Sequence, residues 1–107
     1  MTTKKAIEKP KTQTSMDMGK SVDQVLKERG TVHGSFIDNA VTSQAIKAVL
    51  KSSVNWNDLQ PTQKEALEVI AAKMSRIVSG NPDEADHWRD IAGYATLQTK
   101  ICEGQDV

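Results

Sequence analysis

Four acidic side chains and two basic ones carry most of the chemistry that this chain offers. Glu65 and Glu68 stand three residues apart and Asp86 and Asp90 four apart, spacings that put each pair on one flank of an α-helix. On antiparallel helices the two pairs would bring four carboxylates toward one point. A hard cation such as Mg2+ takes that kind of all-oxygen shell, completed by water and a substrate's phosphates. Lys73 and Arg76 lie between the pairs and supply positive charge for a phosphate, Arg through its planar fork. Each group also has a plainer role. Acids on helix surfaces are ordinarily solvated, and Asp90 against Lys73 or Arg76 is an interhelical ion pair that fixes packing.

Other residues offer less. His33-Gly34-Ser35-Phe36 is a glycine-containing loop before a helix, a geometry that suits an anion and equally a plain turn anchored by Phe36. Tyr94 is a core residue with its hydroxyl satisfied or a stacking platform for a ligand. His87, beside acids, reads as a surface residue, and Cys102 as a small buried hydrophobe. No Ser/His/Asp or Cys/His arrangement is present.

The elements that must position these groups are all helical. Ser21 offers an N-cap with Gln24 three residues on, and Val22, Val25 and Leu26 share a side before Gly30 stops a short first helix. A second helix runs from Phe36 to Lys51, with Ile37, Val41, Ala45 and Ala48 as its apolar stripe, widened by Phe36, Ala40 and Val49. After a Ser- and Asn-rich loop in which Trp56 lids the core, Pro61 opens a third helix that Gly80 stops. Leu67, Ile70, Ala71, Met74, Ile77 and Val78 keep helical spacing along it.

Asp83 is expected to cap the fourth helix, Asp83 to Cys102. Trp88, Ile91, Ala92, Ala95 and Cys102 fall on one side of it, and Tyr94, Leu97 and Ile101 on another, in line with Asp90 and Asp86. Two stripes predict burial on two sides, with the second closing a pocket or meeting a second subunit. Gly93 costs ~1 kcal/mol in mid-helix, which a close helix approach or access for a ligand would offset. The fold class is therefore all-α, a small four-helix bundle-like domain with a dominant C-terminal helical hairpin. Residues 1–20 read as a disordered basic tail, 21–103 as one helical domain and 104–107 as a disordered C-terminus.

Composition narrows the partners. The 107 residues carry no net charge, but residues 1–20 hold five lysines against Glu8 and Asp17, leaving nine bases and twelve acids in the remainder. A mildly acidic domain argues against a nucleic-acid grip, which needs a clustered basic face. One cysteine excludes an internal disulfide framework and a cysteine-rich zinc site, and fits a reducing cytoplasm. No apolar run approaches the ~20 residues of a membrane span, and no secretory signal is read at the N-terminus. With 37% hydrophobic residues and four per cent aromatics, the core is modest, and a homo-oligomer is expected.

Three strings together resemble a family of small, uncharacterised phage and prophage proteins over roughly Val22 to Leu97: Glu28-Arg-Gly-Thr-Val-His-Gly-Ser-Phe-Ile-Asp-Asn-Ala40, Glu65-Ala-Leu-Glu-Val-Ile-Ala-Ala-Lys-Met-Ser-Arg-Ile77 and Asp86-His-Trp-Arg-Asp-Ile-Ala-Gly-Tyr-Ala-Thr-Leu97. More distantly, paired acids on two helices are similar to the all-α nucleoside triphosphate pyrophosphohydrolases of the MazG kind, which hold magnesium on an E-E-x-x-E and an E-x-x-D pair. Lys64 replaces the first acid, and Asp86 and Asp90 stand four apart where that family has three.

The resemblance implies a phage-encoded cytoplasmic protein. It would bind a nucleotide or nucleotide-derived signal, with magnesium on Glu65, Glu68, Asp86 and Asp90 and the ligand on Lys73, Arg76, His33 and Tyr94. As an enzyme it would cleave a pyrophosphate. The alternative is a non-catalytic inhibitor of a host defence, sequestering a nucleotide messenger or binding a host protein.

Overall fold

The computed structural model describes residues 19–107, and most of the expected tail lies outside the described residues. Four α-helices follow in order: α1 (Val22–His33), α2 (Phe36–Lys51), α3 (Pro61–Ser79) and α4 (Ala85–Cys102). The described residues contain no strand. The domain is all-α, as its periodicity predicts.

Local chemistry accounts for the helix ends. Ser21 caps α1 by accepting from the Gln24 N–H at 3.1 Å, and Ser35 caps α2 by accepting from the Asp38 N–H at 3.2 Å. Gln63 reaches back to accept from the Gln60 N–H at 2.8 Å, ahead of Pro61. Two expected boundaries move. α1 runs through Gly30 and ends at Gly34, because its last turn delivers the Val32 carbonyl to the Asn81 N–H at 2.8 Å. Asp83 does not cap α4: its own N–H is taken by the Asn81 side chain at 2.9 Å, and Glu84 holds the N-cap position. At the other end Gln105 N–H bonds the Lys100 carbonyl at 2.9 Å, closing the last turn of α4.

α3 is the centre of the fold and packs on both α2 and α4. The buried apolar residues are few: Trp56, Ala66, Ala71 and Ile77. Trp56 does lid this core, from a 3-10 turn at Trp56–Asp58. The α2 contact is polar at its heart. Ser75 is fully buried, and its Oγ lies 2.7 Å from the Asn39 carbonyl and 2.6 Å from Asn39 Oδ1. Removing that hydroxyl with Ser75→Ala should cost about 1–2 kcal/mol, read as a lower urea midpoint at unchanged slope.

Turning Asn39 and Ser43 inward turns the apolar stripe of α2 outward. Ile37 is 72% and Val41 65% exposed, against the expectation that they face the core. The fourth helix departs in the same way. Of its second stripe Ile101 is half-buried while Tyr94 and Leu97 are 37% and 46% exposed, and of its first Trp88 is 55% exposed, with Ala92, Ala95 and Cys102 also exposed. Burial on two sides is therefore not achieved within one chain, and Cys102 is a free exposed thiol. Nor does another backbone approach Gly93, where an added Cβ meets nothing within 4 Å.

Candidate functional site

Two glycines place the site. Gly34 has φ 81° and ψ −168°, a conformation that only glycine adopts readily. Its Cα is pressed against the Ser79 carbonyl, while Gly80 is pressed against Val32 and His33. The end of α1 is thereby clamped on the end of α3. His33 is held against the first turn of α4, where it meets His87.

The two imidazoles are neighbours. His33 Nδ1 and His87 Nε2 are 3.3 Å apart, and the ring centroids 5.0 Å apart at an interplanar angle of 39°. His87 is 2% exposed. Burial first, then the positive charges of Arg76, His87, Lys73 and Arg29, lowers the His33 pKa to about 4. Burial, Lys73 and Arg76 also lower that of His87, against weaker opposing pulls from Glu84 and the Val32 carbonyl. Both rings are neutral at pH 7, so one can donate an N–H to the other's lone pair.

This pair sits in a cleft of about 690 Å3 whose lining includes Arg29, Lys73, Arg76, Asp86 and Asp90. A second cleft of about 420 Å3 is lined by Lys47, Glu65, Glu68, Lys73, Arg76, Asp90 and Tyr94 among others. Lys73, Arg76 and Asp90 belong to both and form the wall between them. Lys73 Nζ bonds Asp90 Oδ2 at 2.7 Å, the interhelical pair that the sequence allows. The Lys73 hydrogen bond holds the Asp90 carboxyl below its usual range, against a smaller upward push from burial. The expected burial of Asp90 is only partial, its side chain being 45% exposed against 16% for Lys73. Arg76 makes no ion pair among the described residues.

The four acids do not gather. Glu65 and Glu68 line the second cleft, Asp86 only the first, and Asp90 the wall. Asp86 is tied to Arg89 one turn on in its own helix, and Glu68 lies 3.7 Å from Lys51. No three His, Cys, Asp or Glu side chains among the described residues form a metal-binding group. A resident magnesium held by all four carboxylates does not fit this arrangement. Asp90, Lys73 and Arg76 are brought together with His33 on one side and Tyr94 on the other.

His87 is the residue whose role the sequence left unread. The signal was present: His87, Ile91, Tyr94 and Gln98 stand at i, i+4, i+7 and i+11, the inner line of α4. The acids Glu84, Asp86 and Asp90 around it disguise it as a surface position. Arg29 and Lys47 were missed as well, because α1 and α2 reach the clefts only through the tertiary fold.

The model of a domain of unknown function, DUF6378, matches residues 18–102, which span all four helices and both clefts. The chain belongs to this DUF6378 family. No curated protein and no solved structure matches it. In this member of the family, no helix of the described residues is long and apolar enough to cross a membrane.

Proposed function

We propose that the wall between the two clefts binds a phosphate-bearing small molecule of the nucleotide class. The observation that carries this reading is Arg76: it lines both clefts without an ion partner among the described residues, beside Lys73 and two neutral imidazoles. A guanidinium with no anion of its own offers a planar fork for a phosphate. Lys73 adds a point charge that Asp90 holds in place. His33 and His87 add ring N–H groups or lone pairs, as the ligand's protonation requires. Tyr94, 37% exposed in the second cleft, offers a face on which a base can stack.

The first cleft lies within the ~300–1,000 Å3 of small-molecule sites. Magnesium belongs to this reading only as a companion of the ligand's phosphates, with Glu65 and Glu68 in the second cleft and Asp86 in the first as separate acceptors for its water. Binding is favoured over hydrolysis because the acids are spread over two clefts, so no compact carboxylate group is built to activate a water.

Titration of nucleoside mono-, di- and triphosphates, cyclic dinucleotides and pyrophosphate by calorimetry, with and without Mg2+, tests the reading. Arg76→Ala should weaken the best binder at least ~10-fold, the loss of one charge-assisted contact of ~1.5–3 kcal/mol, with an unchanged melting temperature. The reading fails if no phosphate compound binds at millimolar concentration, or if Arg76→Ala binds as well as wild type. Steady release of pyrophosphate would replace binding with catalysis.

A further inference from the structure

α3 meets its two neighbours on opposite sides. Ser75 faces α2 through Asn39, and Lys73 faces α4 through Asp90. At ~100° per residue these two contact lines lie roughly 160° apart around α3, so α2, α3 and α4 form a single layer. Its cleft face carries Glu65, Val69, Ala72 and Arg76. The opposite face of α3 carries Leu67, Met74 and Val78, which are 37%, 45% and 72% exposed, with Gln63 among them and Lys64 at the edge toward α2. Val49 of α2, 68% exposed, and Trp88 of α4, 55% exposed, extend it on either side.

Helical domains enclose a core between two packed layers; here α1 packs over one end of the cleft face, and no described helix covers the opposite face. Four buried apolar residues among those described are too few to hold such a layer alone. Residues 1–18 carry four lysines and no periodic apolar stripe, so they are unsuited to cover it. The face has the dimensions of an interface. α3 is roughly 28 Å long at 1.5 Å per residue, and three helices ~8–10 Å apart span roughly 25 Å. Their product, ~700 Å2, is close to the ~800 Å2 per partner of a stable complex.

We infer that a second copy of this chain covers the Leu67–Met74–Val78 face, giving a two-layer homodimer with its clefts on the outside. A predominantly apolar surface is self-complementary across a two-fold axis, and the chain's zero net charge sets no overall repulsion between copies. A core deficit must also be met as soon as the chain folds. Another copy is the partner present at equal abundance from that moment. The inference does not rest on what the clefts bind.

Sedimentation equilibrium on the full chain at micromolar concentration tests it, with Met74→Glu, Val78→Glu and, outside the face, Leu26→Glu on α1. Wild type and Leu26→Glu should show the mass of a dimer, whereas the two α3 variants fall to the monomer mass and lose cooperative melting. Val78 is so exposed in one chain that a glutamate there has no means of unfolding a monomer, so joint loss of dimer and fold supports the inference too. A monomeric wild type that melts cooperatively, or a dimer that both α3 variants leave intact, overturns it. Calorimetry on the same preparations keeps its failure distinct from failure of the ligand reading.

Discussion

Gly34→Ala is expected to be the most damaging single methyl group in the molecule, lowering stability by about 3 kcal/mol or more. Two independent costs add. The backbone at φ 81° and ψ −168° lies in a region that is close to glycine-only, and holding an alanine there costs ~1–3 kcal/mol. The new Cβ would also overlap the Ser79 carbonyl, and a backbone atom in the last turn of a helix cannot swing aside as a side-chain end can. Relief requires the α1–α2 corner to lift from α3, which separates Val32 from Asn81 and His33 from His87. Thermal melting should show a fall of ~12–24 °C for a domain of this size. Gly93→Ala is the internal control with the opposite sign. An added Cβ there meets nothing within 4 Å, so the substitution should stabilise by about 0.5–1 kcal/mol through helix propensity. A Gly34→Ala protein that melts with wild type would show that the clamp does not hold the fold.

Acid should weaken the fold through the histidine pair, well before carboxylates protonate. The His33 pKa stands at about 4 in the folded chain against 6.5 in its absence. Between those values the unfolded chain binds a proton that the folded chain refuses, so stability rises with pH across this window. The contribution is complete above about 6.5, declines as pH falls through 6 and 5, and has reached its floor below about 4. His87 shifts in the same direction and steepens the decline. Solvent around the half-exposed His33 ring screens part of the effect, leaving roughly 1–2 kcal/mol for it between pH 7 and 4. Asp90 acts in a lower window: its carboxyl is held below 3.8 by Lys73, so its share of stability is lost only as pH falls through that range. Urea midpoints measured from pH 7.5 to 4 should therefore slope in wild type and slope less steeply in His33→Gln, where only His87 of the pair still takes a proton. An equal slope in both proteins would remove His33 as a cause.

Helix identity was legible in residues 36–102 because capping, proline and glycine signals are local. Ser35, Pro61 and Gly80 act within a turn of their own position, and the second and third helices lie where those signals put them. The same locality explains the misreadings. Gly30 resembles a stop until the bond from Asn81 to Val32 extends α1 past it, and Asp83 resembles a cap until Asn81 takes its N–H. Both depend on a residue from the other end of the chain or on the conformation of a turn.

The candidate site divides along the same line. Lys73, Arg76 and Asp90 could be picked out because residues at i and i+3, or on facing positions of a helical hairpin, are brought close by helix geometry and a short turn. His87 shows in the sequence only as one position of the inner line of α4; its pairing with an imidazole of α1, more than fifty residues earlier, does not. The spread of the four acids over two clefts was also beyond sequence reasoning, because it depends on how α3 is rotated between α2 and α4.

What the sequence by itself determined is the set of helices, their apolar stripes and the hairpin that pairs Lys73 with Asp90. Only the tertiary structure decided which stripe would be covered. Periodicity states that a helix has an apolar face, and nothing local says what lies against it. Here a buried serine and a half-buried asparagine take the α2–α3 contact, turning Ile37 and Val41 outward and leaving Met74, Val78 and Trp88 in solvent. The packing of small and polar side chains around α3, rather than the count of apolar ones, set both the open apolar face and the paired clefts behind it.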